Sequence, residues 1–182
     1  MAFTIIVDGH NFLNDLHRHG KDKGYILNKL SFPHLHILIQ KRLKFEGLYS
    51  HPFNHTEFIC SDRGKIAQFE QGERDELITK LKREKGVTVR EVPQHTKEAK
   101  QKGVDLTVFT RMLAFGKQFP PHEIVLIASD TDYVPALRLM SELGIHVISV
   151  GFKSLNEELI NESYLFIDLE ELLNEMEKES HK

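Results

Sequence analysis

A chain of 182 residues with 40% hydrophobic and 28% charged composition, 12 phenylalanines and no low-complexity run has enough apolar material for one folded domain. This excludes an intrinsically disordered polymer. The formal net charge of −3 excludes a protein coated in positive charge that grips nucleic acid indiscriminately, yet leaves nucleic acid open as a substrate, because basic residues at the rim of one site can still guide phosphates.

Taken in chain order, short apolar runs alternate with longer amphipathic stretches, the pattern of βαβ units that build a parallel sheet. Phe3 to Val7 predicts the first strand and is followed at once by Asp8-Gly9-His10-Asn11. By itself this tetrapeptide suits a turn with Asn11 as a helix N-cap as well as it suits a site. Asn14 to Tyr25 lacks apolar periodicity and reads as a loop, whereas Phe32 to Phe45 places Leu35, Leu38, Ile39 and Leu43 at helical spacing. After a loop over Ser50 to His55, Thr56 to Cys60 predicts the second strand, with a turn near Gly64. The single cysteine, Cys60, has no partner for an internal disulfide, and the cytoplasm is the expected location.

Asp75 to Lys85 predicts the next helix and Val87 to Val92 the third strand; Gln94 to Gly103 reads as a lysine-rich loop. Val104 to Phe115 is then a helix with Asp105 in its first turn, a place where an acid is favoured whatever its function. Ile124 to Ala128 predicts the fourth strand, Val134 to Leu143 a helix and His146 to Val150 the fifth strand, with Gly116 and Gly144 as left-handed helix stops. Tyr164 to Ile167 is a weaker edge strand, and Leu169 to Glu179 an acidic helix covering that edge. The expected organisation is one domain over residues 1–182, with its core at about 3–168 and the acidic helix at 169–179. No run reaches the roughly 18 apolar residues of a membrane span.

Between the fourth strand and its helix stands Ser129-Asp130-Thr131-Asp132-Tyr133-Val134-Pro135. An Asp132 N-cap with Pro135 in the first helical turn accounts for one of the two carboxylates and leaves Asp130 without a structural task. In a parallel sheet with right-handed crossovers, Asp8, Asp105, Asp130 and Asp132 all fall at the carboxyl edge, where open α/β folds bind ligands. Two carboxylates about 5 Å apart repel by about 3 kcal/mol at an effective dielectric near 20, so four ionised groups call for protonation or a cation. Oxygen-only ligands suit Mg²⁺ or Mn²⁺ better than Zn²⁺. The 11 histidines show no zinc-site spacing, no GxxxxGK[ST] or GxSxG sequence is present, and Ser129 reads as a backbone cap.

The segments IIVDGHN, KGVDL and LIASDTDYVPAL together resemble the NYN domain family, the LabA-like branch of the PIN-like metal-dependent ribonucleases, over most of residues 3 to 151. The resemblance implies a three-layer Rossmann-like α/β fold with a mostly parallel sheet and helices on both faces. It implies Mg²⁺ or Mn²⁺ bound by Asp8, Asp105, Asp130 and Asp132 with the Asn11 amide beside them, and hydrolysis of RNA phosphodiesters. Family members often carry a further acid one or two turns beyond the Asp105 position, and here Arg111 stands there. With Lys97, Lys100 and Lys102, Arg111 is an expected contact for the phosphate backbone; Asp62 reads as a turn residue. The weighed alternatives are a non-catalytic RNA-binding module and a metal-dependent phosphatase. A homodimer stays open as the assembly.

Overall fold

The computed structural model describes residues 3–48, 54–93, 99–118, 123–153 and 157–179. Six strands form one sheet: β1 (Phe3–Asp8), β2 (Asn54–Ser61), β3 (Val87–Val92), β4 (Glu123–Ile127), β5 (Val147–Gly151) and β6 (Leu165–Asp168). Their order is β3-β2-β1-β4-β5-β6 and all five pairings are parallel. The sheet is therefore wholly parallel where the sequence predicted a mostly parallel one, and its order is that of doubly wound folds. The weak edge strand is β6.

Alternation along the buried strands divides the core into two layers. Phe3, Ile5 and Val7 of β1, with Phe58 and Cys60 of β2, pack against one set of helices. These are α1 (Gly9–Arg18), α2 (Lys23–Asn28), α3 (Phe32–Phe45), α4 (Gln71–Arg83) and α8 (Leu169–Glu179). On the other face, Ile6, Ile59, Ile124 and Leu126 meet α5 (Ala99–Gly116), α6 (Val134–Glu142) and α7 (Glu157–Glu162). The fold is thus the three-layer Rossmann-like, PIN-like α/β arrangement. Among the described residues no helix is long and apolar enough to cross a membrane.

Three local expectations are corrected. Asn14 to Tyr25 is not a loop: Phe12, Leu13 and Leu16 line the buried face of α1, and Asp22 caps α2 by accepting the Tyr25 N–H. The segment after β3 is helical from Ala99, so Asp105 lies in the second turn of α5 rather than the first; residues 94–98 of that predicted loop lie outside the described residues. β2 begins at Asn54, inside the loop expected over Ser50 to His55. Of the two glycines read as left-handed stops, Gly144 has φ 72°, whereas Gly116 closes α5 for reasons of space, since a Cβ there would stand 2.6 Å from Ile145 Cγ2.

Candidate active site

The strand order reverses between β1 and β4, and the crevice at the carboxyl ends of those two strands is where such sheets bind ligands. Asp8 closes β1 there. It shares the parity of Ile6, which directs its side chain to the α5 and α6 layer. Gly9 is needed because α1 starts against β2: a Cβ at this position would come within 2.6 Å of the Phe58 ring and 2.9 Å of the Ile59 carbonyl.

Asp8 is 1% exposed and accepts four hydrogen bonds. Its Oδ1 receives the backbone N–H groups of His10 and Asn11 at 3.0 and 3.1 Å, so Asp8 itself caps α1. Its Oδ2 receives Asn11 Nδ2 and Tyr133 Oη, each at 2.7 Å. Asn11 is accordingly not the cap; its amide fixes the rotamer of the carboxylate.

Tyr133 was not singled out from the sequence, although it ends the Asp130-Thr131-Asp132 turn. Its hydroxyl also stands 3.4 Å from Asp105 Oδ1, between the two carboxylates. Burial and the charges of Asp8 and Asp105 push the phenol far above its usual range, so it remains a proton donor. Asp105 is driven up to about 6, first by burial and then by Asp8 and Asp130, with Asp132 adding to the repulsion and Tyr133 opposing it. Its charge is thus tolerated with difficulty and would be stabilised by a cation.

Asp8 and Asp105 face a cavity of about 220 Å³ that Asn11, Asn14 and Val104 also line. His10 and Lys65 complete the wall, and the His10 ring is held by Nε2 at 3.0 Å from Ser61 Oγ. Asn14, one turn beyond Asn11 on α1, was hidden by reading this stretch as loop. Asp130 and Asp132 sit on the adjoining β4–α6 connection, which opens as a 3-10 turn, Thr131–Tyr133. Asp130 has the structural task that sequence reasoning gave to Asp132: it caps this turn by accepting the Asp132 N–H at 3.0 Å. Asp15, a buried acid of α1, is pushed up by burial, with the Ser129 side chain opposing that rise.

Among the described residues, no three His, Cys, Asp or Glu side chains close around one metal position. The donors that converge are nevertheless hard oxygens, and Mg²⁺ characteristically takes one or two carboxylates while keeping several waters, so the pair Asp8 and Asp105 with Asp130 nearby suits such an ion. Arg111, expected at phosphate, instead forms a two-pronged ion pair with Glu57 of β2, donating from Nε and Nη2 at 2.7 Å. Lys97 lies outside the described residues, as do the side chains of Lys100 and Lys102 on α5.

A family model described as NYN domain matches residues 44–170, which contain Asp105, Asp130 and Asp132 but begin beyond Asp8 and Asn11. No curated protein matches the chain. Among solved structures, a protein of unknown function from Vibrio parahaemolyticus RIMD 2210633 is similar with a TM-score of 0.63 over 92% of each chain, and at 12% identity that likeness concerns the fold.

Proposed function

The chain belongs to the NYN domain family, and from that premise we propose that it is a divalent-metal-dependent endoribonuclease acting at the carboxyl edge of β1 and β4. One observation carries the reading: Asp8 and Asp105 share one cavity at the reversal of strand order, and the Asp105 carboxyl is destabilised as an anion by Asp8 and Asp130. Four carboxylates at a ligand-binding edge have no structural need of one another.

Asp8 and Asp105, with Asp130 and Asp132 at the rim, would hold Mg²⁺ or Mn²⁺. When bound, such an ion supplies polarisation of a phosphoryl oxygen and a water acidified toward neutrality. The chain's own contribution is orientation. Four donors fix Asp8, the Asn11 amide among them, and Tyr133 Oη keeps its proton and spaces Asp8 from Asp105. Val104 gives the cavity an apolar side that limits free water. Lys97, Lys100 and Lys102, on or before the start of α5, would draw the RNA backbone toward this edge. The buried thiol of Cys60, pushed up to about 12 chiefly by burial, takes no part and fits a reducing cytoplasm.

Incubating the protein with end-labelled single-stranded RNA and Mn²⁺ tests the assignment. Internal cleavage is expected, lost in EDTA and reduced roughly 100-fold or more in Asp105→Asn and Asp8→Asn, in line with the removal of one electrostatic group from a catalytic centre. Cleavage that persists unchanged in EDTA or in Asp105→Asn would sink it.

A further inference from the structure

The only cation among the described residues that line the aspartate cavity is Lys65, and nothing in the site described above assigns it a task. It follows Gly64 on the connection from β2 to α4, and an unusual turn carries it. Ile66 and Phe69 exchange backbone hydrogen bonds, Ile66 N–H to Phe69 O at 3.1 Å and Phe69 N–H to Ile66 O at 2.8 Å, and both side chains are 0% exposed. Ala67, the first of the two residues between them, has φ 51°, the one non-glycine positive φ among the described residues. Positive φ at the first central position alone is the type II′ pattern, which favours glycine, so an alanine there stores strain. The Gly64 N–H is tied at 2.7 Å to Gln71 Oε1 of α4. Lys65 is thus mounted between two fixed points.

Its present partner is weak. Lys65 Nζ lies 3.0 Å from Glu70 Oε1, with side chains 57% and 69% exposed, and a pair this open to water contributes little. A ligand phosphate entering the cavity can replace that carboxylate. The cavity, about 220 Å³, is below the roughly 300 Å³ at which pockets begin to enclose whole small ligands. It suits a backbone linkage of a chain lying across it better than a complete nucleotide held inside it.

Resting on the nuclease reading, we propose that Lys65 is a substrate-binding residue of this cavity, holding a nonbridging phosphate oxygen of a phosphodiester chain. It supplies the positive charge that a polyanion needs beside Asp8 and Asp105.

The test measures kcat and KM for cleavage of labelled single-stranded RNA in Mn²⁺ at several salt concentrations, with wild type, Lys65→Ala and Lys65→Arg. Lys65→Ala is expected to raise KM roughly tenfold with kcat within about twofold, and to lower the salt slope of log(kcat/KM) by about 0.7, the contribution of one single-strand phosphate contact. Lys65→Arg is expected to stay within about threefold of wild type, because the charge is kept. Binding of the same RNA by fluorescence anisotropy, in Asp105→Asn protein with and without Lys65→Ala, reads the contact without turnover. If wild type fails to cleave but Lys65→Ala still weakens binding and flattens its salt slope, the nuclease reading falls and the Lys65 contact stands. Unchanged affinity and unchanged slope in Lys65→Ala would overturn the proposal, whether or not cleavage occurs.

Discussion

Tyr133 Oη stands 2.7 Å from Asp8 Oδ2 and 3.4 Å from Asp105 Oδ1, so one phenol bridges the two carboxylates that share the cavity. A hydroxyl has one proton to give, and the shorter bond shows that Asp8 takes it. Removing the hydroxyl leaves the buried Asp8 and the half-buried Asp105 facing each other with less to separate them. Tyr133→Phe is expected to lose about 1.5–3 kcal/mol of stability without metal, the range for a hydrogen bond to a charged group. Added Mn²⁺ is expected to shrink that deficit, because a cation would quench the same repulsion. Thermal melts of wild type and Tyr133→Phe, with and without Mn²⁺, decide the matter. A deficit that Mn²⁺ leaves unaltered would separate the tyrosine from the proposed ion site.

The second relationship is between α5 and β2. Glu57, 1% exposed, accepts from Arg111 at 2.7 Å twice and from Arg90 of β3 at 3.0 and 3.2 Å, with His55 Nε2 at 3.5 Å. Burial alone would raise its carboxyl, but the hydrogen bonds from His55, Arg111 and Arg90 overturn that and hold it far below the usual carboxylate range. Breaking a buried pair leaves uncompensated charge, so Glu57→Gln is expected to destabilise by about 3 kcal/mol. Arg111→Leu should cost less, since Arg90 still serves Glu57. A double-mutant cycle by urea unfolding should show that the two changes are not additive. If Arg111→Leu left stability untouched but lowered the salt slope of RNA binding, Arg111 would be a phosphate contact after all.

The same pair shows where sequence reasoning reached and where it stopped. Strands were legible because their apolar runs are buried on both faces; Phe3–Asp8 and Glu123–Ile127 consist of wholly buried residues. The carboxylates after the strands were legible from the strand-to-helix turns and from the shared carboxyl edge of a parallel sheet. The Arg111–Glu57 pair was not legible because the partner lies 54 residues earlier, on a strand whose lone inward glutamate carries no local signal. Most of α1 was read as loop because histidine, lysine and glycine crowd the stretch from Asn14, although Phe12, Leu13 and Leu16 keep the helical spacing. Tyr133 and Lys65 belong to the site only through folding. A tyrosine on a turn reads as core, and a lysine beside a glycine reads as solvated surface.

A third consequence concerns His36 of α3, stacked on Phe3 with ring centroids 4.1 Å apart and an interplanar angle of 23°. It is 1% exposed, and neither ring nitrogen has a hydrogen-bond partner among the described residues. Burial, aided by the charge of His55, pushes the imidazole down to about 4 from an ordinary value of 6.5. The unfolded chain therefore binds a proton at this residue that the folded chain refuses throughout the interval between those two values. The stability that His36 contributes is full above pH 6.5 and is lost as the pH drops toward 4, by on the order of 3 kcal/mol in total. The carboxylates lowered by their partners, Glu57 foremost, add losses only below their ordinary value of 4.5. Asp105, raised to about 6, instead takes up a proton in the folded chain over the same interval and works against the histidine, so the His36 contribution is read from the difference between wild type and a variant. His36→Phe keeps a ring against Phe3 and has no proton to gain. Urea unfolding of wild type and His36→Phe from pH 7 to pH 4.5 should give curves that diverge as the pH falls, with wild type losing stability relative to the variant; parallel curves would mean that His36 is protonated in the folded protein as readily as in the unfolded chain.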